Sequence, residues 1–368
     1  MRLRSLAFTL LGLSACHLIG GAGDLVFTED EQPSSSGGSA ATASMATSGG
    51  AGGGDTGGGA GVGGAGGELP DLPRPSCEGL ATTCGASGVE SCCDAMEVPG
   101  GTFEHLGSTI TVSTFRLDRY EVTVGRFRRF VQAVADGWRP APGSGRHTHV
   151  SAIGLTDDLE AGWDPAWTEN LPVDAAGWDA MLSCAEYGSS ATAYVQWTPS
   201  AEGREQRPIG CMTWYAAYAF CVYDGGFLPT EAEWSLAATG GQPSSHAYPW
   251  GMAEPSAARA AFGCQSEGCD RDSIHEVGMH PTGAAPFGHE DMAGNLWEWT
   301  LDRFTGPFAK TICVDCVVLS SGSTFSVRGG AFVSPPAEMA ADARATFALP
   351  RGSGIGFRCA APPRWSQL

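Results

Sequence analysis

Asp291 and Glu298 bracket a tight Ala293, Gly294, Asn295 turn, so two hard carboxylate oxygens can converge with turn carbonyls on one cation, the shell that calcium prefers. Soft-metal or redox chemistry would need sulfur. Cys313 and Cys316 show the two-residue gap of redox and zinc sites, and Cys264 and Cys269 form a second close pair. Eight histidines offer a third option, but His147 and His149 are two apart in a loop-like stretch. His275, His280 and His289 lack a helical metal spacing, so these side chains are read as surface or loop residues rather than a facial iron set. Arg328, Gly329 and Gly330 suggest an anion site, but no helix follows them, which favours burial of the arginine against a carboxylate.

Few regular elements are available to position these groups. Residues 108–117 alternate through Ile110, Val112 and Phe115 as a strand does. After Thr123, a candidate N-cap, Val124, Phe127, Phe130, Val131 and Val134 recur at helical spacing until Gly137. Thr213 to Tyr223 reads as a second helix with Trp214, Ala217 and Cys221 on one stripe, ended by Asp224, Gly225 and Gly226. Thr230 and Glu233 form a capping-box pair opening a third helix, which carries Trp234. With 53 glycines and 23 prolines, much of the remainder must be loop, which gives an α+β chain whose loops are held by cross-links. The 11 tryptophans are assigned to the core.

The N-terminus indicates export. Arg2 and Arg4 precede an apolar run from Leu6 to Leu13, and Leu13, Ser14, Ala15, Cys16 has the order of a bacterial lipoprotein signal with Cys16 as the acylated residue. Residues 1–15 are then a signal peptide and 16–70 a tether rich in glycine, serine and alanine, with too little apolar surface to fold. About 50 such residues reach roughly 40 Å as a flexible coil. The expected location is the cell envelope or surface, with a lipid as the membrane partner. A net charge of −19 disfavours nucleic acid and favours cations.

Setting Cys16 aside leaves 12 of the 13 cysteines, an even number suited to disulfides in an oxidising compartment. Cys92 and Cys93 are too close for a relaxed bond to each other, since adjacent Cα atoms lie about 3.8 Å apart. Cys77 and Cys84 are their nearest candidate partners, which makes residues 71–96 a small cysteine-rich module before a main domain at 97–368. Disulfides are the expected state of Cys264 with Cys269 and of Cys313 with Cys316.

Seven segments in order over residues 97–361 resemble the formylglycine-generating enzyme, or sulfatase-modifying-factor, family. They are Tyr120 to Thr123; Trp214 with Ala216, Ala217 and Cys221; Leu228 to Trp234; Tyr248 to Gly251; Asp291 to Trp299; Arg328 to Gly330; and Gly356 to Cys359. The resemblance implies an α+β fold poor in regular structure, with a topology like C-type lectins, and a disulfide between Cys221 and Cys359. It also implies calcium held by the side chains of Asp291 and Glu298 and the carbonyls of Gly294 and Leu296. The family's second calcium site would fall near Ala261, where no ligand set matches.

Active members oxidise a substrate cysteine with dioxygen through a copper(I) ion on two cysteines five residues apart, shortly after the Arg-Gly-Gly segment. Those positions here are Ser334 and Met339, and no cysteine lies between Gly330 and Gly356. A serine hydroxyl is a hard, protonated ligand and a lone thioether a weak one, so copper is not expected. Pro335 and Pro336 also stiffen the loop. The expected function is a lipid-anchored binding or structural module with a protein or glycan ligand. An oxidase with a relocated metal site and calcium-dependent glycan or peptide recognition are the alternatives.

Overall fold

The computed structural model describes residues 74–147, 160–188, 192–264, 268–304, 312–319, 324–347 and 350–363. The signal-like segment, Cys16, the whole tether, the first residues of the cysteine-rich module and His149 lie outside these residues. Among the described residues no helix is long and apolar enough to cross a membrane.

Regular structure is sparse and mixed. Among the described residues, ten short strands, β1 (Ala95–Val98), β2 (Gly101–His105), β3 (Ser108–Val112), β4 (Phe115–Asp118), β5 (Trp297–Arg303), β6 (Ile312–Val314), β7 (Phe325–Arg328), β8 (Arg344–Thr346), β9 (Ile355–Gly356) and β10 (Ala360–Ala361), form three small sheets. Their orders are β1-β4-β10, β2-β3-β6 and β8-β7-β5-β9. The helices are α1 (Val124–Ala135), α2 (Ala175–Leu182), α3 (Trp214–Tyr223) and α4 (Glu231–Thr239).

The three expected helices form where their caps place them. The side chains of Thr123, Thr213 and Thr230 accept from the amides of Arg126, Ala216 and Glu233. Thr230 and Glu233 complete the reciprocal capping box, and Gly240 ends α4 in the left-handed region. In contrast, the run at 108–117 is not one strand. Thr114 accepts from Gly100 N–H, and Asp315 accepts from both the amide and hydroxyl of Ser113. These bonds turn the chain, so β3 joins one sheet and β4 another.

The main core packs α1, α2 and α3 against β5, β7 and β9. Phe127, Phe130, Trp178 and Phe220 meet edge-on or stacked with ring centroids 5.2–5.7 Å apart. Trp163, Trp178, Trp234 and Trp297 are fully buried, as the composition suggested. A second core, under α4 and the β2-β3-β6 sheet, holds Phe103, Ile110, Trp234 and Leu236.

Cross-links fasten what the short elements cannot. Six disulfides join Cys77–Cys93, Cys84–Cys92, Cys184–Cys211, Cys221–Cys359, Cys264–Cys269 and Cys313–Cys316. The expected Cys221–Cys359 bond links α3 to the residue just before β10, and both close pairs are disulfides. The N-terminal cysteine-rich segment is pinned by charge as well. Arg74 pairs with Asp118 and Asp224, and buried Arg126 donates to the same two carboxylates at 2.8 and 2.7 Å.

Candidate functional site

Ser334 and Met339, the two positions where the resemblance would put copper thiolates, lie in one turn but do different jobs. Ser334 Oγ accepts from Ala331 N–H at 2.9 Å while its own amide donates to the Ala331 carbonyl, so the hydroxyl closes the turn. Pro336–Met339 then coils into a single tight turn. It drives Met339, fully buried, into a cluster with Ala260, Ala293, Tyr248, Trp250 and Phe262. Two motif glycines make room for that thioether. A Cβ on Gly330 would meet the Met339 sulfur at 3.1 Å, and one on Gly294 would meet its methyl at 3.0 Å; both residues also have left-handed φ. Methionine here is packing, and backbone approaches closer still, Ala261 O at 2.4 Å from a Cβ on Gly294 and Glu338 O at 2.8 Å from one on Gly330, are what require the glycines.

The carboxylates of the candidate calcium turn do converge. Asp291, Gly294 and Asn295 have φ of 55°, 85° and 60°, a left-handed turn that aspartate, glycine and asparagine tolerate best. Asp291 accepts from Gly278 N–H at 2.6 Å. Glu298 gives its two oxygens to Arg358 at 2.7–3.0 Å, and one of them also accepts from Trp234 Nε1. A third acid arrives from far away in sequence: Glu121 accepts from Asn295 Nδ2 at 2.7 Å and from Leu296 N–H at 3.0 Å.

Three buried acids thus share one guanidinium. Burial lifts the Asp291 carboxyl to about 6 against the help of Gly278 and Arg358. Burial and the neighbouring Asp291 and Glu298 charges hold Glu121 well above the ordinary carboxylate range. In charge the cluster suits an added cation. In geometry, Glu298 is already committed to Arg358, and among the described residues no three His, Cys, Asp or Glu side chains alone form a metal site. Glu121 was not foreseen as part of this cluster, although it sits in the Tyr120 to Thr123 motif.

The histidines depart from their expected surface placement. His147 is buried, its Nδ1 2.6 Å from Glu160 and its Nε2 3.1 Å from Glu233 of the α4 capping box. Burial by itself would lower this imidazole's pKa, but the charges of Glu233 and Glu160 overcome that and raise it to about 10. His275 Nδ1 faces His280 Nε2 at 2.8 Å, and burial lowers both. His289 is fully enclosed, and burial and Arg358 hold it neutral, at about 3. Loop composition hid this, because burial here comes from distant segments. Arg328 follows expectation: it pairs with Glu231 at 3.0 Å, lies over the Trp234 ring at 4.7 Å, and shares Glu231 with Arg344.

A chain so poor in regular structure, cross-linked six times and built around buried arginine–carboxylate pairs defines a class held together by its motifs rather than by continuous layers. The model of the sulfatase-modifying factor enzyme 1-like domain matches residues 81–362. The chain belongs to this family. A formylglycine-generating enzyme of Thermomonospora curvata is 30% identical over 328 residues, covering 80% of this chain and 98% of the relative. A mouse protein named inactive C-alpha-formylglycine-generating enzyme 2 is 28% identical over 294 residues, covering 72% and 84%. Among solved structures, PvdO from Pseudomonas aeruginosa aligns with a TM-score of 0.48 at 21% identity, covering 74% of this chain and 95% of PvdO.

Proposed function

We propose that this chain is an exported, lipid-anchored member of the family that has lost cysteine oxidation and serves as a binding or structural module. One observation carries the reading. The two positions aligned with the copper thiolates are a turn-closing serine and a buried methionine, and the 12 cysteines from Cys77 onward are all in disulfides. A soft copper(I) ion needs thiolate donors, and a disulfide supplies none. The mouse relative with an inactive name is consistent with such a loss.

The test is direct. The purified protein, with Cys16 acylated, is expected to show no titratable thiol, no copper(I) uptake against a chelator, and no oxygen consumption with a cysteine peptide. Turnover of that peptide would defeat the proposal. For the anchor, the Cys16→Ala variant is expected to leave the membrane fraction; unchanged membrane association would refute lipidation.

Calcium at the Asp291 turn belongs to the same proposal. The support is the charge imbalance of Asp291, Glu121 and Glu298 against the single Arg358. Asp291 and Glu298, with the carbonyls of Gly294 and Leu296, would hold the ion and brace the turn; no catalytic role attaches to it. Calcium at 100 times its dissociation constant would add about 2.7 kcal/mol of stability. Equal thermal midpoints in calcium and in chelator would rule it out.

A further inference from the structure

His275 and His280 turn ring nitrogens toward each other across a short loop. Nδ1 of His275 lies 2.8 Å from Nε2 of His280, with the ring centroids 5.0 Å apart and the planes 18° from parallel. That spacing is nearly the largest such a contact allows, so the nitrogens meet head-on and share one proton. The His280 ring also makes a hydrogen bond to the Ala257 backbone. With Nε2 turned to His275, that bond falls to Nδ1–H, which leaves Nε2 its lone pair and makes His275 the donor. A ring fixed from behind by a carbonyl is the arrangement that orients a metal-binding histidine.

The loop holds both rings in place. His275 N–H donates to Asn295 Oδ1 at 3.0 Å, Val277 N–H to the Gln206 carbonyl at 3.0 Å, and Gly278 N–H to Asp291 at 2.6 Å. The His280 carbonyl accepts from Gly283 N–H at 2.8 Å. Burial lowers the pKa of both imidazoles, so each is uncharged at neutral pH, the form that binds a metal. Arg207, the guanidinium that acts on His275, is engaged by Asp272 at 3.1 Å and by the Ile274 carbonyl. Among the described residues Nε2 of His275 bonds no protein group, and the ring is half-buried, so the shared proton can move there when an ion arrives.

The separation selects the ion. Metal–nitrogen bonds of about 2.0 Å put ligands at adjacent corners of a square about 2.8 Å apart, against about 3.3 Å at the tetrahedral angle. We propose that His275 and His280 form a two-imidazole site for a divalent ion of square-planar habit, copper(II) or nickel(II). Such an ion sits off the N···N line, and the broad χ2 torsion of histidine lets the rings turn to it. Among the described residues no third histidine, cysteine or acid joins them, so water completes the shell. The site does not rest on the function proposed above: a divalent ion on imidazoles needs none of the thiolates that copper(I) requires, so copper(I) uptake and copper(II) binding are separate outcomes.

The experiment titrates the full chain, stripped with chelator, with copper(II), nickel(II) and zinc(II) in turn, using the His275→Gln/His280→Gln double variant as background for the remaining histidines. Copper(II) is expected to bind tightest, with one equivalent more in the wild type than in the double variant. His275→Gln and His280→Gln, each checked for an unchanged thermal midpoint without metal, are expected to weaken that equivalent by ~10-fold or more, and His246→Gln to leave it intact. Electron paramagnetic resonance of wild-type copper(II) is expected to show coupling to two imidazole nitrogens, and it decides alone should a variant unfold. Equal copper(II) binding by wild type and double variant, coupling to fewer than two nitrogens, or zinc(II) bound more tightly than copper(II) would each overturn the proposal.

Discussion

Replacing His147 by glutamine tests the electrostatics of the second core. The imidazole lies between Glu160 and Glu233 at 2.6 and 3.1 Å and is fully buried. Its pKa rises from 6.5 unfolded to about 10 folded. A group whose folded pKa is raised binds its proton more tightly in the native state. Its contribution is therefore complete below pH 6.5 and is lost as pH rises toward 10. At about 1.4 kcal/mol per pKa unit, the ceiling is about 5 kcal/mol, and about 3 kcal/mol should vanish between pH 7 and pH 9. In His147→Gln the two glutamates are left facing each other, and one must take a proton or separate. Urea unfolding of both proteins across pH 6.5 to 9.5 measures this. Wild-type stability should fall steadily over this range, and the variant should already be the less stable at pH 6.5. A wild-type stability that stays flat from pH 6.5 to 9.5 would mean that His147 is neutral when folded, and the charged-bridge argument would fail.

Three further substitutions probe other parts of the scaffold. Arg358→Ala strands Glu298 beside Asp291 and Glu121, and a loss of ~3–5 kcal/mol in urea is expected; a loss below ~1 kcal/mol would show that another cation already balances the cluster. Opening Cys221–Cys359, which spans 138 residues, by a double alanine substitution should cost about 5 kcal/mol in the chain-entropy picture, and an unchanged denaturation midpoint would contradict it. Thr230→Ala removes one half of the capping box and should cost about 1 kcal/mol, so a silent substitution would mean that neighbouring contacts alone fix the start of α4.

Short-range features were readable in the sequence. The caps of α1, α3 and α4 act over three residues, so Thr123, Thr213 and Thr230 announce them without reference to the rest of the chain. Cysteine parity and the ordered motifs indicated the disulfides and the family. Alternation at 108–117 misled because a side-chain bond from Asp315, 202 residues from Ser113, breaks the run into two strands.

Tertiary structure decided the rest. It chose Cys77 with Cys93 and Cys84 with Cys92 from the open pairings, brought Glu121 to Asn295 across 174 residues, and buried His147 against Glu233. The physical reason is range. A cap or a turn is fixed by bonds between neighbours and leaves a local pattern, whereas burial, and with it the charge state of a histidine or carboxylate, depends on whichever distant segments close over it.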